Sequence, residues 1–545
     1  VRLLAGVAVL VFCLLGVRAA FLGTVRAGDL AARGTDQNLF AEDLAAQRGS
    51  IQAVNGTDLA IDRLAVDVSA TPYLVTDPRG TARRLAPVID RDPDDLANLL
   101  EKPGNYVLLA RNVPPKAADR AKKLHLPGID FADTWQRFVP GGPLASQVIG
   151  LTGSDREGLS GIEDQANSAL TGVSGHRVEK RDLFGRPIQL LVDKETTPGE
   201  DVRLTIDPTI QDRVERVLAA TRERYGAKTA MAIVMRPSDG AVLAMASVPR
   251  FNPNDRREIN PELERNRPVT DTFEPGSTFK VVTMAAALED KKVTPSTVFD
   301  LPVEITRYDR TLHDAHERPP VALTASEILE QSSNVGTVLI AERVGRDRLQ
   351  DWIERFGFGR PTGIDYPGEV KGLVLPGEQW SGTSILNIPI GQGVGVTLAQ
   401  LTRAYAAIAN GGYLVQPHLI QSIGGTPVPH PRGKQIITTV TAHKIDRMLR
   451  KVVSERGTGL LAQVEGYEVA GKTGTANKID PETGEYSSSL ITSSFVGYVP
   501  ANRPRFLIAV VVDEPSGGVY YGGEVAAPAF EQIAEFSLQT QRITP

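Results

Sequence analysis

Residues 3–17 form an unbroken run of apolar residues and glycine, interrupted by Arg18 and continued by Ala19-Ala20-Phe21-Leu22. The stretch reaches the roughly 20 residues that a helix needs to cross a bilayer. Arg18 would lie near the outer end, where it can snorkel to the headgroups, and Arg2 marks the inner side. An uncleaved signal anchor over residues 1–22 is the favoured reading. A signal peptide cleaved near Val17-Arg18-Ala19 and a buried core helix are the alternatives. Either of the first two exports the rest of the chain. The first residue is Val rather than Met, so an upstream segment or an alternative start codon is expected.

Past the anchor the pattern changes. Residues 23–47 mix Ala, Asp and Glu and read as a polar, partly helical stalk. From Arg48 short strands and turns are expected, and residues 64–68 alternate apolar and polar as a half-buried strand does. Residues 92–100 and 115–124 read as short helices. The polar run 194–200, with Pro198-Gly199, marks a domain boundary or exposed turn. A strand over 202–206 precedes an amphipathic helix over 208–225, opened by Asp207 and Pro208. Strands 228–235 and 241–247 flank Ser238-Asp239-Gly240, a hairpin signal. A mostly helical block with internal loops follows over about 277–355. Strands return at 467–470, 493–499 and 506–512, and a helix over 527–538 closes the body, with no further module expected before Pro545. Strands, then helices, then strands predict an α+β domain with a mainly antiparallel sheet.

The 545 residues are too many for one core, so two to four domains are expected. Apolar residues make up 41% and charged residues 23%, the balance of a folded soluble body behind the anchor. The net charge of -5 and the lack of a long basic run argue against nucleic acid as a main partner. The single cysteine, Cys13, lies in the apolar segment. It permits neither an intrachain disulfide nor a cysteine-only zinc site, and a thiol-free body suits an extracytoplasmic protein.

Three short motifs follow one another: Ser277-Thr278-Phe279-Lys280, Ser332-Ser333-Asn334 and Lys472-Thr473-Gly474-Thr475. Glu274-Pro275-Gly276 supplies a turn, so Ser277 falls at or near the start of an apolar helix that runs to about Leu288. Lys280 lies three residues on, on the same face. A serine needs a base to become a nucleophile, and a lysine serves if burial and nearby positive charge lower its pKa. Ser332 could shuttle a proton between Lys280 and a leaving amine. The Asn334 amide offers a donor and an acceptor to a peptide carbonyl or to Lys280. Lys472, Thr473 and Thr475, read as the end of a strand, could hold a carboxylate. Gly474 would let an extended ligand approach the strand edge. Taken singly, each motif is as well explained by a helix cap, a polar loop or a glycine kink. Together and in order they form a constellation for a lysine-assisted serine acyl-transferase. His313 and His316, with Asp314 between them, lack a third ligand at metal-binding spacing and read as a solvated or hydrogen-bonded loop.

The ordered motifs resemble those of the penicillin-binding proteins and serine β-lactamases. Arg48-Gly49-Ser50-Ile51 with Gly56-Thr57-Asp58-Leu59-Ala60 resembles the opening motif of the class B penicillin-binding proteins. Gly158-Leu159-Ser160-Gly161-Ile162-Glu163, with Asp182 and Gly185, is similar to segments of their non-catalytic pedestal. Asp239-Gly240, Ala244-Met245-Ala246-Ser247 and Tyr520-Tyr521-Gly522-Gly523 resemble stretches of their transpeptidase domain. Residues 472–477 and the Tyr-Tyr-Gly-Gly stretch look most like the septal, cell-division branch, with the elongation branch as runner-up. One departure is Gln52-Ala53-Val54-Asn55-Gly56, where the family usually carries an Asp-Arg-Asn-Gly core.

The resemblance implies a multidomain α+β protein: an anchor (1–22), a stalk and pedestal (23–200) and a transpeptidase domain with an antiparallel sheet flanked by helices (201–545). It implies a cell-membrane protein with one span and an extracytoplasmic catalytic domain. The substrate would be peptidoglycan stem peptides ending in D-Ala-D-Ala. Ser277 would be the nucleophile, Lys280 the base, and Ser332 and Asn334 the proton relay and substrate contact. Lys472, Thr473, Gly474 and Thr475 would form the carboxylate and strand-edge site, and the Ser277 and Thr475 N–H groups the oxyanion hole. No metal or cofactor is implied. β-Lactams would act as inhibitors, and a multi-spanning glycan polymerase and division-complex proteins as partners. The alternatives are a β-lactamase, a D,D-carboxypeptidase or a non-catalytic β-lactam-binding envelope scaffold. Against a class A β-lactamase, no Glu-x-x-Leu-Asn-like stretch lies between Asn334 and Lys472, and Ser333 stands where such enzymes carry Asp.

Overall fold

The computed structural model describes residues 2–28, 39–181, 187–257, 259–308 and 310–545. Asp182 and Gly185 lie outside the described residues, as does the 29–38 part of the stalk. The apolar N-terminal segment forms one helix, Arg2–Thr24, of 23 residues. At 1.5 Å per residue it is long enough to cross a membrane.

The chain clusters into two compact units. The first comprises Val1–Gly49, Asp62–Gln136 and Thr171–Gly199. Its core sets helices Pro78–Ile89 and Pro93–Leu100 against strand residues such as Val66, Val68 and Leu109. Both helices start on an aspartate cap followed by proline: Asp77 accepts from the Gly80 N–H, and Asp92 from those of Asp94 and Asp95. The stalk departs from its expected character at Leu39–Leu44, which is a strand paired antiparallel with Gly175–Arg181. Its mixed Ala, Asp and Glu composition carries no strand period. The conformation comes from a partner strand far along the chain, an instance of tertiary pairing overriding local propensity.

The second unit comprises Ser50–Ile61, Arg137–Leu170 and Glu200–Pro545. The segment 23–200 is therefore not one compact body. Ile51–Gln52 pairs in parallel with Val202 and Arg203, and Val139, Val148, Ile149 and Ile162 are buried in the same core as the C-terminal two-thirds of the chain. The last passage between the units falls between Gly199 and Glu200. The earlier passages carry no Pro-Gly signal of that kind.

The centre of this unit is a five-stranded antiparallel sheet. Its strands are β1 (Thr229–Met235), β2 (Val242–Val248), β3 (Ala470–Ile479), β4 (Tyr486–Val499) and β5 (Phe506–Asp513), in the spatial order β2-β1-β5-β4-β3. Both faces are covered. Ala230, Ala232 and Val234 point to the core under helices α1 (Pro208–Arg224) and α5 (Ala527–Thr540). Met231, Ile233 and Met235 point to the larger core, which contains α2 (Lys280–Glu289). Burial on both faces explains why β1 reads as a continuous apolar run rather than an alternating one. The block expected to be mostly helical contains α2, α3 (Ala325–Glu330) and α4 (Asn334–Val344), and also four short strands between residues 298 and 324.

One buried carboxylate ties these layers together. Glu215 on α1 is 1% exposed and accepts from the Ala145 N–H and Gln211 Nε2, each at 2.8 Å, and it pairs with Arg250. Burial pushes its pKa up, and these partners pull it back. Gln211 in turn bonds both backbone groups of Met245 on β2. We expect Arg250→Ala to leave a buried, under-compensated carboxylate and to cost about 3 kcal/mol. Urea unfolding checks this, and a shift within error of zero would refute the clamp.

Candidate active site

The three motifs come from three different elements and meet at the edge of the sheet. Ser277 lies in a one-turn 3-10 segment, Gly276–Phe279, that runs into α2. The approach to it is tight: Gly276 has φ +53° and donates its N–H to the Gly391 carbonyl at 3.1 Å. A Cβ on Gly391 would lie 2.2 Å from the Gly276 carbonyl oxygen, so neither position admits an ordinary side chain. Thr278 Oγ1 donates back to the Pro275 carbonyl at 2.7 Å, and the buried Tyr405 hydroxyl donates to the Thr278 carbonyl at 2.8 Å. Ser277 is left half-buried between buried neighbours, facing a cavity of about 710 Å³.

Lys280, one turn on, is 1% exposed. Its Nζ donates to the Ser332 carbonyl at 2.6 Å and to Asn334 Oδ1 at 2.7 Å, and lies 3.4 Å from Ser332 Oγ. Burial lowers its pKa to about 7, against the pull of the Asp314 charge. Lys472 is 0% exposed. Its Nζ donates to Ser332 Oγ at 2.9 Å and to the Thr473 carbonyl at 3.2 Å. Burial, and then the charge of Lys280, push its pKa well below the usual lysine range. Ser332 Oγ thus sits between two ammonium groups that cannot both keep a proton cheaply.

The second motif is the junction of α3 and α4. Ser332 has φ +60°, rare for a side chain other than glycine. Ser333 caps α4, its Oγ accepting from the Gly336 N–H at 2.9 Å. Asn334 is the first residue of α4, with its amide nitrogen donating to the His313 carbonyl at 3.1 Å.

The third motif lies inside β3 rather than at its end, a correction to the expected placement. β3 is the outermost strand of the sheet, with β4 on one side only. A Cβ on Gly474 would lie 2.3 Å from Ser494 Oγ and 2.8 Å from the Pro275 carbonyl. The glycine therefore makes room for the turn that carries Ser277, not for a ligand. Thr473 and Thr475 line the cavity together with Ser277, Ser332 and Asn334. The hydroxyls of Thr473 and Thr458 are 2.6 Å apart, and Thr475 Oγ1 accepts from the Gly522 N–H at 3.0 Å. Lys280 and Lys472 are not part of this lining; both reach it through Ser332 Oγ.

Sequence reasoning missed Asp314. It sits in the His313–His316 loop and lines the cavity. Among the described residues no group of three or more His, Cys, Asp or Glu side chains is placed to hold a metal ion. His313 Nδ1 lies 2.8 Å from the Asp314 carbonyl, and the His316 ring lies 5.5 Å from that of Tyr521. The Asp314 carboxylate instead receives Ser333 Oγ and the Asn334 and Val335 N–H groups. Nothing in the local sequence marks an aspartate as the acceptor for a turn so far along the chain. Thr458 and Gly391 were missed for the same reason.

Comparison with known proteins places the chain in a family. Residues 230–535 match the family described as penicillin binding protein transpeptidase domain, and residues 43–204 match the penicillin-binding protein dimerisation domain. The chain is 33% identical to the peptidoglycan D,D-transpeptidase FtsI of Escherichia coli K12, over 100% of this chain and 92% of that protein. It is 35% identical to penicillin-binding protein PbpB of Mycolicibacterium smegmatis, over 85% of this chain and 74% of that one. The solved structure of penicillin-binding protein 3 from Mycobacterium tuberculosis, complexed with aztreonam, superposes with a TM-score of 0.74 at 31% identity, covering 92% of this chain and 98% of that one. With both family models and a relative 33% identical over the whole chain in agreement, the chain belongs to the class B penicillin-binding proteins and is a serine-type peptidoglycan D,D-transpeptidase.

Proposed function

We propose that this chain cross-links peptidoglycan stem peptides through a Ser277 acyl-enzyme during septal wall synthesis. The observation that carries the reading is the Lys280–Ser332–Lys472 chain of contacts beside Ser277. A stem ending in D-Ala-D-Ala would lie along the free edge of β3 as an added strand. Its terminal carboxylate would be held by Lys472, Thr473 and Thr475, with Gly474 keeping the serine turn close to the strand. An arriving carboxylate favours the charged form of Lys472. A charged Lys472 in turn favours the neutral form of Lys280, the form able to act as base.

Ser277 Oγ would then attack the penultimate D-Ala carbonyl and pass its proton to Lys280. The Ser277 and Thr475 N–H groups would hold the oxyanion, at about 3 kcal/mol per donor. Ser332 would relay the proton from Lys280 to the leaving amine as the carbon–nitrogen bond breaks and D-Ala departs. Asn334 would hold the peptide and Lys280 in register. An amine on a neighbouring stem would attack the ester, restore the Ser277 hydroxyl and form the cross-link.

The septal assignment is supported by residues 472–477, by the Tyr520-Tyr521-Gly522-Gly523 stretch and by relatives named FtsI. The helix Arg2–Thr24 supports a single membrane span, with the catalytic domain outside the cytoplasmic membrane. The matches over 43–204 and 230–535 support a functional division into anchor (1–22), pedestal (23–200) and transpeptidase domain (201–545). A multi-spanning glycan polymerase and division-complex proteins would be the partners. β-Lactams would acylate Ser277 and remain bound, in keeping with the aztreonam and ampicillin complexes of the mycobacterial neighbour.

Three outcomes are expected. The detergent-solubilised full chain should be labelled by a fluorescent penicillin and keep the label for many minutes, while Ser277→Ala takes up none. Rapid loss of label would identify a β-lactamase, and no label on the folded wild type a scaffold. The acylation rate should rise with pH through about 7, because Lys280 works as base only after losing its proton. Lys280→Met should lower that rate about a thousand-fold; a smaller loss than tenfold would remove Lys280 from the base role.

A further inference from the structure

Asp314 is a carboxylate whose charge acts on the buried Lys280, and the mechanism does not use it. Its Oδ1 accepts from the Asn334 N–H at 2.5 Å and the Val335 N–H at 2.9 Å. Ser333 Oγ lies 3.0 Å from both of its oxygens. Its Oδ2 accepts from Arg318 Nε at 2.7 Å. A carboxylate on the first N–H groups of α4 is favoured by the helix dipole as well as by the charge-assisted bonds. The neighbouring His313 carbonyl accepts from the Asn334 side-chain amide at 3.1 Å, which turns Asn334 Oδ1 towards Lys280 Nζ at 2.7 Å. One loop therefore grips Asn334 by its backbone and by its side chain.

The charges around Lys280 make this grip electrostatic as well as geometric. Facing it are Lys472 from β3, and Asp314 with its partner Arg318 from the 313–318 loop; His316 and Glu317 line the cleft farther along that loop. Ser277, Ser332 and Asn334 are neutral. Asp314 is thus the anion whose charge acts on Lys280, with Lys472 and Arg318 as the cations beside them.

We propose that Asp314 is a positioning residue for acylation: it organises the Ser332–Asn334 turn and supplies the negative charge that balances Lys280, and so sets the pH range in which Ser277 reacts. The inference rests on the transpeptidase reading above. Its sign follows from the role of Lys280. The Asp314 charge favours charged Lys280, so its removal lets Lys280 lose its proton at lower pH. Arg318 shields Asp314, so removing Arg318 has the opposite effect.

The test is the pH profile of acylation of the full chain by a fluorescent penicillin between about pH 5 and 9. Asp314→Asn should move the acid limb down by about half a pH unit or more and lower the plateau at least tenfold. Arg318→Gln should move the limb up. Opposite shifts support the proposal, because a merely structural role lowers the plateau without moving the limb. Unmoved limbs in both variants overturn it. If Asp314→Asn does not fold, as read by circular dichroism, Arg318→Gln decides alone: an upward shift supports the proposal and none overturns it. Failure of the wild type to label at any pH would overturn the transpeptidase reading, and this inference with it.

Discussion

The site depends on the burial of two ammonium groups within reach of one hydroxyl. Lys280 and Lys472 are both almost fully buried, and Ser332 Oγ lies 3.4 Å from one and 2.9 Å from the other. Burial disfavours each charge and mutual repulsion disfavours both together, so the pair holds its protons loosely. Such an arrangement persists only where fixed acceptors surround it. Here they are the Ser332 and Thr473 carbonyls and Asn334 Oδ1. Each comes from a different element than the lysine it serves, except Thr473, which adjoins Lys472. The chemistry is therefore a property of how α2, β3 and the α3–α4 junction pack.

That packing is set by close backbone approaches. The Ser277 turn presses on β3 at Gly474, and Gly391 presses on Gly276. On the other side of the strand, a Cβ on Gly522 would lie 2.2 Å from the Gly474 carbonyl. Glycine at these positions lets backbone meet backbone without intervening side chains. It places Ser277, Ser332, Thr473 and Thr475 around one cavity. The sheet behind them is covered on both faces, so it supplies a stiff reference for all three.

What could be read from the sequence, and what could not, follows from the range of the interactions. The apolar N-terminal helix, α1 with its Asp207 cap, the β1–β2 hairpin and the closing helix all show in local periodicity or capping residues, and the structure has them. Ser277, Lys280, Ser332, Asn334 and Lys472 were legible as candidates because ordered motifs carry a chemical pattern. The strand Leu39–Leu44 was not legible, because its partner lies more than a hundred residues away and its own composition favours no strand. β3 began later and ran longer than expected, because Gly471 and Gly474 interrupt the local strand signal while pairing with β4 carries the strand through. Asp314 was read only as part of a polar loop, because the N–H groups it accepts from are presented by the folded turn alone.

Ser332 shows most directly why the second motif has its form. Its φ of +60° costs roughly 1–2 kcal/mol for a residue with a side chain, and glycine would adopt it freely. Glycine would also remove the hydroxyl. In the left-handed conformation the carbonyl and the hydroxyl of this one residue both face Lys280, and the hydroxyl still reaches Lys472. An extended or helical backbone would turn one of the two away. The turn is held in this state from both sides: α4 begins immediately after it, and the Asp314 carboxylate ties down Ser333, Asn334 and Val335. The strain is thus stored at the residue that bridges the two lysines, and the Asp314 loop helps to keep it there.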